Sequence, residues 1–117
     1  MEQEERVVLC GASAYEKKFY LNPAFEKLPE AIRQELQILC VLFTEDVGGV
    51  LTLVFDENGT LCLEVSVAED DYLYDEIGSE LKIKEIQNTK QELLTSLELY
   101  YQVVILGKNP KELMEEE

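Results

Sequence analysis

Two runs of alternating apolar residues, "VLTLVFD" and "TLCLEVSV", flank the "ENG" of residues 57–59 and constrain the fold more tightly than any other stretch. Side chains on a strand alternate between faces, so a slip of one residue exchanges every inward and outward position. A two-residue Asn58-Gly59 loop would set Phe55 opposite Cys62, Leu53 opposite Glu64 and Leu51 opposite Ser66, mixing apolar with polar. A three-residue loop, Glu57-Asn58-Gly59, sets Phe55 opposite Leu61, Leu53 opposite Leu63 and Leu51 opposite Val65. Only the second gives a continuous apolar face, and it is the common type I turn closed by a left-handed glycine. An antiparallel hairpin with the three-residue loop is therefore expected. The same "DENGT" also matches a sugar-acceptor tripeptide and begins like a calcium loop. No secretory leader is apparent, the glycine comes too early for a calcium loop, and a ligand-poor strand follows it. The stretch reads as a turn.

Upstream, Ile32, Leu36, Leu39, Cys40, Phe43 and Val47 recur at steps of three and four, the mark of one buried helical face. Pro29 suits the first helical position, Glu30 suits the positive end of the helix dipole, and Gly48-Gly49 supplies a stop. A helix over Pro29–Asp46 follows. Lys17–Leu21 reads as a short edge strand ended by Asn22-Pro23, which would make the sheet three-stranded. "VVLCG" at Val7–Gly11 reads either as a short strand or as the beginning of a packed segment.

The C-terminal half is helical by composition. Glu69, Asp70 and Asp71 suit a helix start, and Ile77 and Leu81, less cleanly Ile83 and Ile86, mark its buried positions. Gly78 suggests a bend or a close helix–helix approach. Thr89 and Glu92 have the spacing of a capping box, and Leu93, Leu97, Tyr100, Tyr101 and Val104 share one broad side. "YYQVVIL" has the β-branched and aromatic content of a strand as a competing reading. One unbroken helix over residues 75–106 would span roughly 48 Å. That is too long for a compact domain of this size, so a break near Asn88 or packing against a second chain is expected.

Chemistry is sparse. The chain has 117 residues, 46% of them hydrophobic, which is enough for one domain with its own core, ordered over about residues 7–107 and with mobile acidic ends. It contains no histidine, so the common nucleophile–base triads are excluded. Cys10, Cys40 and Cys62 are scattered among apolar neighbours and do not form a zinc-binding set. There is no phosphate-binding glycine loop. No enzymatic activity, metal or cofactor is expected. With 25 acidic against 10 basic residues the net charge is −15, which repels nucleic acid and anionic membranes. The densest acidic run, Glu69, Asp70, Asp71, Asp75 and Glu76, is interrupted by Tyr72 and Tyr74. These seven residues are the candidate partner-binding surface, although the run also reads simply as a decorated helix start.

At "CGASAYEKKFYLNPAFEKLP", "LYDEIGSELKIKEIQ" and "LELYYQVVILG" the chain resembles a family of small acidic bacterial proteins built on a domain of unknown function. The resemblance spans about Val7 to Gly107. It implies a bacterial cytosolic protein and brings no catalytic or binding residues with it.

These readings converge on an α+β fold, a hairpin packed by a central helix and a C-terminal helical region. The expected role is a small cytoplasmic protein-interaction module that self-associates as a homodimer through its C-terminal helices. Two alternatives stand beside it: an acidic mimic of nucleic acid that occupies a basic groove, and a carboxylate-based cation-binding protein.

Overall fold

Phe55 pairs with Leu61, Leu53 with Leu63 and Leu51 with Val65, the register of the three-residue loop. This pairing joins β3 (Val50–Phe55) to β4 (Leu61–Ser66) in a computed structural model that describes residues 6–108. The acidic ends expected to be mobile, outside about residues 7–107, lie outside the described residues except for Arg6 and Lys108. The turn is held twice over. The Asp56 N–H donates to the Thr60 carbonyl at 3.0 Å and the Gly59 N–H to the Asp56 carbonyl at 2.9 Å. Asp56 Oδ1 accepts from the N–H groups of Asn58 and Thr60, at 2.9 and 3.0 Å. Gly59 takes φ 85°, where a side chain would be strained.

The sheet has four antiparallel strands in the order β2-β1-β3-β4, one more than the sequence suggested. The additional strand is β1 (Val7–Ser13), which lies in the middle, with β2 (Lys18–Leu21) on the edge. Lys17 belongs to the connecting turn rather than to β2, with φ 55°. Between Val8 and Cys10 the pairing with β3 skips a residue, so Leu9 forms a bulge. The bulge lets Leu9 and Cys10 both reach the core, each fully buried. Its carbonyls are met from Asn22, whose N–H donates to Leu9 O at 2.9 Å and whose Nδ2 donates to Val8 O at 2.7 Å.

Helix α1 (Glu30–Val47) packs across β1 and β3. Its inward stripe is Leu36, Leu39, Cys40, Phe43 and Val47, with Ile32 partly buried, as the periodicity predicts. Pro29 is the capping residue outside the helix rather than its first residue, and Gly48 (φ 88°) and Gly49 (φ 75°) carry the chain out.

The C-terminal region departs further from expectation. Residues 67–75 form a loop, and α2 (Glu76–Thr89) begins only after Asp75, whose Oδ1 accepts from the Gly78 N–H at 2.9 Å. Glu69, Asp70 and Asp71 are therefore not its first turn. Gly78 serves this cap, because a Cβ there would collide with the Asp75 carboxylate. Ile77 and Leu81 are largely exposed, while Ile83 and Ile86 pack on the core and Ser79 is buried. Lys82 pairs with Asp46 and Lys90, just past the end of α2, with Glu35, so the face of α2 carrying residues 79, 82, 83 and 86 turns toward α1. Ile77 and Leu81 lie off that face.

The chain breaks at Lys90, and α3 (Gln91–Tyr100) follows. The Thr89–Glu92 capping box does not form; the Thr89 hydroxyl donates to the Glu85 carbonyl at 2.8 Å instead. Tyr101–Ile105 continues α3 as a π-helical turn, which removes the strand reading of "YYQVVIL". That turn seats Tyr101 parallel to Phe55, with centroids 4.2 Å apart and planes at 3°, and Phe25 stacks beside both. The result is a single core between the sheet and the helices.

Candidate functional site

The loop before α2 carries the seven residues singled out from the sequence, and distant parts of the chain hold it in place. The Tyr15 hydroxyl, from the β1–β2 turn, donates to Asp71 Oδ2 at 2.6 Å and accepts from the Ala68 N–H at 3.0 Å. The other Asp71 oxygen, Oδ1, accepts from the Leu73 N–H at 3.0 Å. At the far end the Asp75 N–H donates to the Val47 carbonyl at 3.2 Å, and the half-buried Tyr74 ring lies over Gly48 and Gly49. The Tyr15 hydrogen bond holds the Asp71 carboxyl below its ordinary value. The same bond raises the Tyr15 phenol. Charge on one partner and the proton on the other are thus mutually supportive.

The seven residues therefore divide. Asp71, Tyr74 and Asp75 are committed to the fold through the clasp, the glycine contact and the helix cap. Glu69, Asp70, Tyr72 and Glu76 face solvent and make no side-chain hydrogen bond or ion pair among the described residues. Between the two anchored ends the loop displays Tyr72 at 90% exposure and Leu73 at 94%. Leu73 was missed by the sequence reading. An apolar residue outside any helical or strand stripe, set in an acidic run, was the available signal. Tyr15 was missed as well, and nothing near it in sequence points to Asp71.

Surface clefts also lie apart from this loop. One, of about 570 Å³, lies between the β1–β2 turn and α1, with Lys17, Lys18, Gln37 and Glu45 on its rim. Ser13 also lines it, but its hydroxyl oxygen already accepts from the N–H groups of Tyr15 and Glu16. The other, of about 500 Å³, runs between α1 and α2 beside Ile38 and Leu42.

Two of the thiols lie in the core and the third beside carboxylates. Cys10 and Cys40 are buried with Sγ atoms 3.9 Å apart, and the contact with Cys40 together with burial drives the Cys10 thiol far above its ordinary value. Cys62 is also raised, by partial burial and then by the carboxylates of Asp56 and Glu64. A reactive cysteine needs the opposite, an electropositive surround. Among the described residues no group of three or more His, Cys, Asp or Glu is arranged to hold a metal ion. No helix among them is long and apolar enough to cross a membrane.

Comparison with known proteins matches the chain to a family of unknown function, DUF6145, over residues 6–109. The chain belongs to that family. The match takes in every strand and helix described above, so the bulged β1, the hairpin and the clasped loop all lie within the DUF6145 domain. No curated protein and no solved structure matches the chain.

Proposed function

We propose that this DUF6145 chain is a small, non-enzymatic, cytoplasmic protein-interaction module that docks through the Tyr72–Leu73 tip. The observation that carries the reading is the display of two large apolar side chains, almost fully exposed, on a loop anchored at both ends. An anchored loop loses little freedom when it binds, and aromatic residues are favoured as interface anchors. Glu69, Asp70 and Glu76 around the tip select a partner with an apolar pocket and a basic rim. The acidic-mimic reading shares that charge preference and differs in its anchor. A mimic binds through carboxylates alone and loses its partner in salt. The cation-binding reading is the less favoured, because Asp71 and Asp75 already give oxygens to the fold.

The test compares capture from native cell extract by the intact chain, by Tyr72→Ser with Leu73→Ser, and by a Glu69→Gln, Asp70→Asn, Glu76→Gln variant. Melting temperature serves as the control for folding. Loss of the same partner in the Tyr72/Leu73 variant supports docking through the tip. Loss only in the charge variant supports the mimic. A partner retained by both variants refutes the site.

A further inference from the structure

A second surface has a different chemistry. Helix α1 turns Leu36, Leu39, Cys40, Phe43 and Val47 inward, yet Ile38 and Leu42, one turn apart on its shoulder, are each 57% exposed. They flank the groove between α1 and α2, whose wall includes Leu39, Phe43 and Ile86. The groove is closed at its two ends by ion pairs, Lys82–Asp46 and Lys90–Glu35, each at 3.1 Å. Along α1 the distance from Glu35 to Asp46 is about 16 Å at 1.5 Å per residue. On α2 the largely exposed Leu81 adjoins Lys82 in sequence, and Ile77 lies one turn before it.

Charge decides what fits here. The chain carries −15, so two copies repel over most of their surfaces. At this groove Glu35 and Asp46 are paired with Lys90 and Lys82, so that of the acids on its wall Glu85 alone has no ion pair among the described residues, and an apolar strip lies between the two pairs. A basic partner gains little from acids that are already paired, whereas a like-charged copy meets reduced repulsion where lysines and acids balance. An isologous contact about a two-fold axis also places the Ile38–Leu42 ridge of each copy into the groove of the other. We infer that the α1/α2 groove is the contact surface between two copies of this chain. The surface expected from sequence, the C-terminal helices, is thereby narrowed to α2 and extended to α1. The inference stands independently of the Tyr72–Leu73 tip.

The groove is small by the standard of stable interfaces, so the dimer is weak, with a dissociation constant on the order of 10 μM. Sedimentation velocity from 2 to about 200 μM, in 0.15 M and in 0.5 M NaCl, tests it on three proteins. These are the intact chain, Ile38→Gln with Leu42→Gln, and Tyr72→Ser with Leu73→Ser. The first two substitutions remove apolar surface without altering charge, at positions already exposed. The intact chain and the Tyr72/Leu73 variant should both move from 13.4 kDa toward twice that mass as concentration rises. They should do so more readily at the higher salt, because screening weakens like-charge repulsion. The Ile38/Leu42 variant should stay at 13.4 kDa. An intact chain that remains monomeric throughout overturns the inference. So does an Ile38/Leu42 variant that dimerises as well as the intact chain, or a dimer that dissociates in salt. A foreign protein lost by the Ile38/Leu42 variant while the chain itself stays monomeric would reassign the groove and equally overturn it.

Discussion

Replacing Tyr101 with alanine should be among the most damaging single changes to this protein, because the residue joins its C-terminal turn to the core. Tyr101 is 2% exposed, its ring lies 4.2 Å from that of Phe55, and Phe25 stacks at 6.4 Å. Removing a buried aromatic side chain costs about 3–5 kcal/mol, of which the ring pairing accounts for roughly 0.5–1.5. A domain of this size has about 5–15 kcal/mol in total, so the variant would lose a large fraction of its stability. With an unfolding entropy of about 2.1 cal/mol/K per residue, the chain's total is about 0.25 kcal/mol/K, and a loss of ~4 kcal/mol lowers Tm by about 16 °C. Tyr100→Ala is the matched control. Tyr100 is half-buried, its ring lies 6.2 Å from Phe25 at a tilt of 44°, and its removal should cost about a third as much. Urea and thermal unfolding of both variants give the answer. A Tyr101→Ala loss below about 1.5 kcal/mol, or equal losses at the two positions, would refute the assignment of the π-helical turn to the core.

Three further outcomes are expected. Gly59→Ala should cost about 1–2 kcal/mol, since φ 85° is strained for a side chain but the nearest obstacle is the flexible Gln102 amide. Gly49→Ala should cost more, because its Cβ would meet the Ser66 carbonyl at 3.1 Å and the Tyr74 ring at 3.2 Å; urea midpoints would rank the pair. With an aromatic disulfide reagent, native protein should yield at most one thiol, Cys62, and slowly; Cys10 and Cys40 should appear only on unfolding. Prompt labelling of all three would contradict the burial. The Tyr15–Asp71 clasp should have a window bounded on both sides. Asp71 is depressed, so its contribution is present above the ordinary 3.8 and fades as pH falls through the lowered value. Tyr15 is raised, so its contribution is present below the ordinary 10.0 and fades as pH rises through the raised value. An NMR titration of the Tyr15 ring, repeated in Asp71→Asn, would show the tyrosine shift shrink; no change would dissolve the clasp.

Where local rules agreed with one another, the fold was legible. The β3–β4 register followed because alternation and a left-handed glycine both demanded the three-residue loop. The inward face of α1 followed from one clean stripe bounded by Pro29 and Gly48. Strand β1 was harder because the bulge at Leu9 interrupts the alternation, and the groups satisfying that bulge come from Asn22, after an intervening strand. On α2, the residues Ile77, Leu81, Ile83 and Ile86 fall on two different stripes. The choice between them depends on where Glu35 and Asp46 sit on α1. The candidate site was half legible for the same reason. Acidic residues suit a helix start and a docking loop equally well, and the discrimination comes from Tyr15, 56 residues before Asp71.

The strand order β2-β1-β3-β4 bears on how the chain is made. The sheet consists of two hairpins, each closed by a short local turn, with α1 synthesised between them. What joins them is the seam of β1 against β3, which no local contact can form. As the ribosome releases the first hairpin, the strand destined for the middle of the sheet is still an edge, with Leu9, Cys10 and Ala12 on its inward side. Such an edge is a template for the wrong strand until the right one arrives. A nascent or truncated chain ending before Val50 would carry that open seam, and the birth of the second hairpin is what seals it.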